Sequence, residues 1–202
     1  PLRESSVMSL ETSIGREHNV FNETASHAHR VVLPWPVLNF VKYQTLLGLD
    51  QRHYRNVRFD LNFDPNEFGL RAAIENLVQS CLQAVRSGAT ILVLSDRDIS
   101  RDTLTIPAPL AVGAVHQALM RAHERTRANI ILETGTARDP HQFAVLLGLG
   151  VTAIYPYLAF QSINQQIEIG ALQGDPIDLR KNYRRGIRKG LLKILSKMGI
   201  CT

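Results

Sequence analysis

Apolar and polar residues alternate from Val57 to Phe63, with Val57, Phe59, Leu61 and Phe63 on one side and Arg58, Asp60 and Asn62 on the other. This pattern predicts a strand with one wetter face, and Asp64, Pro65 and Asn66 then turn the chain. The period changes next: Leu70, Ala73, Ile74, Leu77, Cys81, Ala84 and Val85 share one face of a helix that stops at Gly88. Residues 90–96 (TILVLSD) are apolar on both faces, as a central parallel strand is. A helix over about 110–123, a strand at 129–134, a helix opened by Asp139 and Pro140, and a strand at 151–155 continue the rhythm.

Strands that alternate with helices predict an α/β fold with a parallel sheet, either a barrel-like arc or doubly wound. Residues 1–50 read as an irregular N-terminal arm, in which Pro34, Trp35 and Pro36 hold the chain extended. Asn39 is placed there to cap a short helix carrying Phe40, Tyr43, Leu46 and Leu47. The core is then 51–178, with 179–202 as a separate basic helix.

Charge changes the picture at that last segment. Residues 179–202 hold 8 of the 23 Lys+Arg and none of the 18 Asp+Glu, so the rest carries 15 basic against 18 acidic side chains. The high isoelectric point is therefore one segment rather than a surface suited to nucleic acid. Tyr183, Ile187, Leu191, Ile194, Leu195 and Met198 fall on one helical face opposite the cations. Gly186, Gly190 and Gly199 interrupt the segment and no aromatic wedge lines its apolar side, which favours a packing helix over a membrane-surface one. Gly199 is a natural stop, and the chain ends soon after it, as a fragment cut before its next element does. Residue 1 is Pro, and no signal segment or long apolar span follows, so the expected setting is cytoplasmic. Cys81 and Cys201 are too far apart in sequence to suggest a metal knuckle and read as free thiols.

In parallel sheets ligands gather at the carboxyl ends of the strands, which directs attention to residues 95–98, 133–136 and 155–157. Asp96, Arg97, Asp98 and Glu133, with His141 near a helix start, are the candidate catalytic or binding groups, although such residues also serve as helix caps. Residues 135–138, ending in Arg138, could hold a phosphate on backbone amides or simply form a cap and turn. His27 and His29 form the one close histidine pair, without an obvious third ligand, and read as a solvated loop. There is no P-loop, dinucleotide fingerprint, zinc-protease motif or nucleophile elbow. On residues alone, the chain could be a stand-alone small-ligand or anion-binding module using Asp96, Arg97, Glu133 and Arg138.

Longer strings are more specific. PLRE at 1–4 with VMSL at 7–10, LSDR at 94–97, IPAPLAVGA at 106–114, ETGTAR at 133–138, HQFAVLLG at 141–148, AIYPYLA at 153–159 and KGLLKILSKMGI at 189–200 occur in one order along the chain. Together they resemble the central region of the glutamate synthase large subunit. The resemblance implies a parent enzyme that hydrolyses glutamine at a glutaminase domain and passes ammonia through a tunnel. An FMN domain then combines it with 2-oxoglutarate and reduces the product to L-glutamate. FMN, an iron–sulfur cluster and NADPH are implied for the parent, with none bound by this fragment, and a small subunit is implied as a partner; nucleic acid and membrane are not. Residues 182–184 and 155–159 look closer to bacterial NADPH-dependent enzymes than to ferredoxin-dependent ones. The fragment would join the glutaminase and FMN domains as scaffold and tunnel wall, colourless and inactive when isolated. The basic helix would lead into the FMN domain and pack its apolar face there. No catalytic residue is implied here, whereas Met8 and Ser9 resemble a loop that approaches the synthase site.

Overall fold

A computed structural model of the chain describes residues 4–200. Pro1 and Cys201, both used in the sequence reading, lie outside these residues. Helix α1 (Glu4–Val7) precedes an antiparallel pair, β1 (Thr12–Ile14) and β2 (Val31–Leu33). The Asn39 side chain accepts the Lys42 amide at 2.9 Å and so starts α2 (Phe40–Leu47), as its residue type predicts. There follow β3 (Asn56–Asp60), β4 (Asn62–Phe63), α3 (Leu70–Arg86), β5 (Ile91–Ser95), β6 (Leu104–Thr105), α4 (Ala108–Arg121) and β7 (Asn129–Glu133). The chain continues through α5 (Pro140–Gly148), β8 (Ala153–Tyr155), α6 (Tyr157–Glu168) and α7 (Pro176–Met198).

The expected α/β architecture is present: β3, β5, β7 and β8 form a parallel sheet in chain order. Without a reversal of strand order there is no doubly wound switch point, so the order is that of a barrel arc, left open. Leu92, Leu94, Ile130, Leu132 and Ile154 face a core built with α3, α4 and α5. Ile91, Val93, Ile131, Ala153 and Tyr155 face the other way, onto Ile14, Leu33, Leu38, Tyr43 and Leu46. The N-terminal arm, expected to be irregular, thus carries two paired strands and covers the second face of the sheet. It also covers an edge: the Ile154 amide donates to the Pro36 carbonyl at 2.7 Å and the Leu38 amide to the Ile154 carbonyl at 2.8 Å.

The alternating run at 57–63 divides between two sheets. β3 pairs parallel with β5, whereas β4 pairs antiparallel with β6. Period-2 alternation reports which side chains face the core, not which neighbour the backbone bonds, and Leu61 at the break is fully buried either way.

Helix α7 starts at Asp175, whose side chain accepts the Asp178 amide at 3.0 Å, with Pro176 in the first turn. The first part of its apolar face is met within this chain: Ile187 and Leu191 are buried in the core shared with α5, which corrects for these residues the expectation that the face waits for a missing domain, whereas Ile194 and Leu195 are half-buried and Met198 is 67% exposed. Burying Ile187, Leu191 and Leu192 is worth about 2 kcal/mol each, against about 1 kcal/mol for each internal glycine. Gly190 has its own reason to be there, since a Cβ at that position would lie 2.3 Å from Pro140 Cγ of α5.

At the amino ends of the central strands, Arg125 ties three elements. Its Nε donates to His116 Nδ1 at 3.1 Å, Nη1 to the Ala128 carbonyl at 2.6 Å and Nη2 to the Gly150 carbonyl at 2.9 Å. The first bond needs His116 Nδ1 unprotonated, and burial followed by the Arg125 charge lowers the His116 pKa below 6.5. A lowered folded pKa means that the unfolded chain takes up the proton first, so stability is present above about pH 6.5 and lost as the pH falls through the lowered value. We expect the melting temperature of the wild type to drop more steeply below that pH than that of His116→Gln, with an excess loss of about 1 kcal/mol, the scale of one hydrogen bond. Parallel pH profiles for the two proteins would refute this role.

Candidate functional site

The strand ends do converge. Glu133, the last residue of β7, is 3% exposed, and its carboxylate is enclosed by donors from four other segments. Oε2 accepts from the Ser95 hydroxyl at 2.7 Å and the Tyr43 hydroxyl at 3.1 Å, with Arg58 Nε 3.5 Å away, while Oε1 accepts from Arg97 Nη1 at 2.9 Å. Arg58 also reaches Asp98 at 2.8 Å through Nη1 and the Ser95 hydroxyl at 2.8 Å through Nη2. Arg97 lies over the Tyr157 ring at 5.0 Å, and Tyr43 stacks on Tyr155 at 4.6 Å.

Local sequence explains each placement. The strand period puts Arg58 on the wetter face of β3, and Ser95 and Glu133 are register partners at the ends of β5 and β7. Tyr43 arrives from α2, which the arm folds across the sheet. Burial, then the Glu133 charge, pushes the Tyr43 hydroxyl far above its ordinary pKa, so it stays a donor. Glu133 hydrogen bonding raises the Arg97 pKa; burial opposes the same change at Arg58, but Asp98 and Glu133 outweigh it. Both guanidiniums remain charged.

Beside this network, Asp96 accepts the Gly135 amide at 2.9 Å and the Thr134 hydroxyl. The Tyr157 hydroxyl points at the Asp96 carbonyl from 3.5 Å, and burial, with Asp96 nearby, raises its pKa. The possible phosphate cradle at 135–138 is a cap. The Arg138 and Asp139 amides donate to Gln142 Oε1, and the His141 and Gln142 amides donate to Asp139 Oδ1. Arg138 and His141 are exposed and take no part in the Glu133 network.

The structure therefore brings together Asp98, Arg97 and Glu133, and adds Arg58 and Tyr43, which sequence reasoning left out. Arg58 was visible as a polar residue in a strand, but Tyr43 read as core and nothing local signals its reach across 90 positions. Met8 and Ser9 follow α1, which packs against α7, and the Ser9 hydroxyl accepts the Glu11 amide at 3.0 Å. Chemically the cluster is tied to itself: each oxygen of the Glu133 carboxylate accepts at least one hydrogen bond from within the chain.

The likeness to known proteins covers the whole chain. Residues 1–202 match the family described as the glutamate synthase central domain. The chain belongs to the glutamate synthase central domain family. It is 40% identical to ferredoxin-dependent glutamate synthase 2 of Synechocystis over 99% of its length, covering 14% of that protein. It is 33% identical to the glutamate synthase [NADPH] large chain of Bacillus subtilis and 32% to glutamate synthase [NADH] of Saccharomyces cerevisiae, in each case over 100% of this chain. Those two relatives are covered to 13% and 10%, so this central domain spans between a tenth and a seventh of the length of these three relatives. Relatives named for NADH, NADPH and ferredoxin all match, so the domain does not discriminate among electron donors. Whole-chain membership disfavours the stand-alone module.

Among the described residues no group of three His, Cys, Asp or Glu could hold a metal. Cys81 is buried, and burial pushes its thiol up to about 12, away from the thiolate that a cluster needs. The described residues of this central domain do not fit an iron–sulfur cluster. No helix among them is long and apolar enough to cross a membrane.

Proposed function

We propose that this chain is the scaffold between the glutaminase and FMN domains of a glutamate synthase polypeptide, and that its N-terminal segment walls the route along which ammonia reaches 2-oxoglutarate. The observation that carries this reading is the self-bonded network at Glu133. Where an α/β enzyme of this type would keep reactive groups, the carboxylates and guanidiniums are bonded to one another and to tyrosine and serine hydroxyls. A group held in that way fixes the relative positions of strands, arm and loops, which is what a domain between two catalytic centres must do. FMN, the cluster, an NADPH-type donor, the small subunit and a cytoplasmic setting belong to the parent in this reading, and Met8 and Ser9 lie nearest the synthase site.

The test is ammonia transfer in the parent enzyme. Ser9→Trp is expected to lower glutamine-dependent glutamate formation several-fold while glutamine hydrolysis continues and ammonia escapes to solvent. The isolated chain is expected to show no flavin absorbance and to form no glutamate from glutamine and 2-oxoglutarate. Unchanged transfer in Ser9→Trp would remove the tunnel wall from the proposal, and flavin bound to the isolated chain would overturn the scaffold reading.

A further inference from the structure

Arg184 is the one buried basic residue among the described residues, at 8% exposure, and it lacks a counter-charge. Its Nε donates to the Val37 carbonyl at 3.2 Å, on the outer side of the arm segment that borders β8. A guanidinium has five N–H donors in a fork suited to a carboxylate; among the described residues the two Nη groups of Arg184 meet no acceptor and, since no buried side-chain nitrogen there lacks a partner, they open to solvent. Burial alone acts on its pKa, lowering it, with no nearby carboxylate to oppose the change. Covering those two groups at an interface is costly unless they are paired there.

Its neighbours deepen the deficit. Arg184 lies over the Trp35 ring at 4.6 Å and Arg188 over the same ring at 5.5 Å. Lys42 of α2 is close enough for burial and the Arg184 charge to lower its pKa. The indole offers partial compensation to both arginines but is no anion. Elsewhere on α7 one cation does meet a carboxylate, Lys181 with Asp178 at 3.1 Å. All 18 carboxylate side chains of the chain lie within residues 4–200, so the residues outside that range cannot supply the missing one.

The surroundings indicate what does. Phe40 and Val41, which precede Lys42, are 56% and 67% exposed, so the cations sit beside apolar surface. Tryptophan and arginine with an apolar surround are the residues that dominate protein interfaces. The three relatives are about seven to ten times as long as the matched region. We propose that Trp35, Lys42, Arg184 and Arg188 form a socket for an Asp or Glu side chain from a part of the same polypeptide outside these 202 residues. The inference rests on the scaffold reading and gives it a contact point: one wall is the arm segment that seals β8, the other is α7.

Zero-length carbodiimide coupling of the intact parent enzyme, followed by peptide mapping, tests the socket. Lys42 is expected to form an amide with an Asp or Glu outside residues 1–202 of its own polypeptide. The product should vanish in Lys42→Arg and fall several-fold in Arg184→Gln and Arg188→Gln. Coupling of Lys181 to Asp178 within α7 serves as the internal control. The proposal is overturned if Lys42 stays uncoupled while that control forms. It is overturned too if Lys42 couples to another polypeptide, or if added glutarate abolishes the product, since the socket would then hold a small dicarboxylate. The scaffold reading fails separately, on the ammonia-transfer assay, which does not depend on Lys42.

Discussion

Gly150→Ala is expected to lower the melting temperature of the chain by roughly 10 °C. Gly150 follows α5 with φ at 108°, a region that costs an L-residue about 1–3 kcal/mol. A Cβ there would lie 2.3 Å from His116 Nδ1 and 2.7 Å from Cγ, far inside van der Waals contact. The ring must move, and the atom that moves first is the one accepting from Arg125 Nε. Overpacking of this kind adds about 1–3 kcal/mol, and about 4 kcal/mol in total corresponds to roughly 10 °C for a domain of this size. Gly148→Ala, where an added Cβ meets nothing within 4 Å, is the matched control and should change little. Equal melting of the two variants would show that neither the positive φ of Gly150 nor its closeness to His116 limits the chain's stability.

Glu133→Gln should cost about 3 kcal/mol. The substitution keeps the side-chain shape but removes the charge that Arg97 and Arg58 share, and replaces one carboxylate oxygen by an amide N–H that neither guanidinium can accept. Breaking one partner out of a buried ion pair typically costs about 3–5 kcal/mol. The lower end applies because both arginine side chains are more than a third exposed and water screens them. Asp98→Asn, at the exposed rim of the same network, should cost under about 1 kcal/mol. Denaturant melts of the two variants decide the matter: a Glu133→Gln midpoint no lower than that of Asp98→Asn would mean that Glu133 does not organise the strand ends.

Much of the helical scaffold was legible because its signals are local. The Asn39 cap of α2, the Asp139–Pro140 start of α5 and the apolar stripe of α3 each use residues within a turn or two of one another. α6 went unrecognised because Tyr157, Ala159 and Phe160 follow directly on β8 and Pro156, and the mixed run after them has only a weak stripe. At the candidate site, Asp98, Arg97 and Glu133 could be picked out as strand-end residues, since the position is set by strand length. Their partner Tyr43 could not, because it lies 90 positions away on a helix whose apolar stripe gives no hint of its destination.

The sequence by itself determined most of the core helices and strands, the parallel α/β class and the family, because hydrophobic period, capping chemistry and ordered strings are carried by neighbouring residues. Tertiary structure alone decided that the arm seals one face and one edge of the sheet, and that α7 packs on α5. It also decided that the acidic strand end is a self-bonded clasp while the basic helix holds an unpaired Arg184. Those outcomes depend on which charged groups meet in space and how much water remains around them, and no local pattern along the chain encodes either.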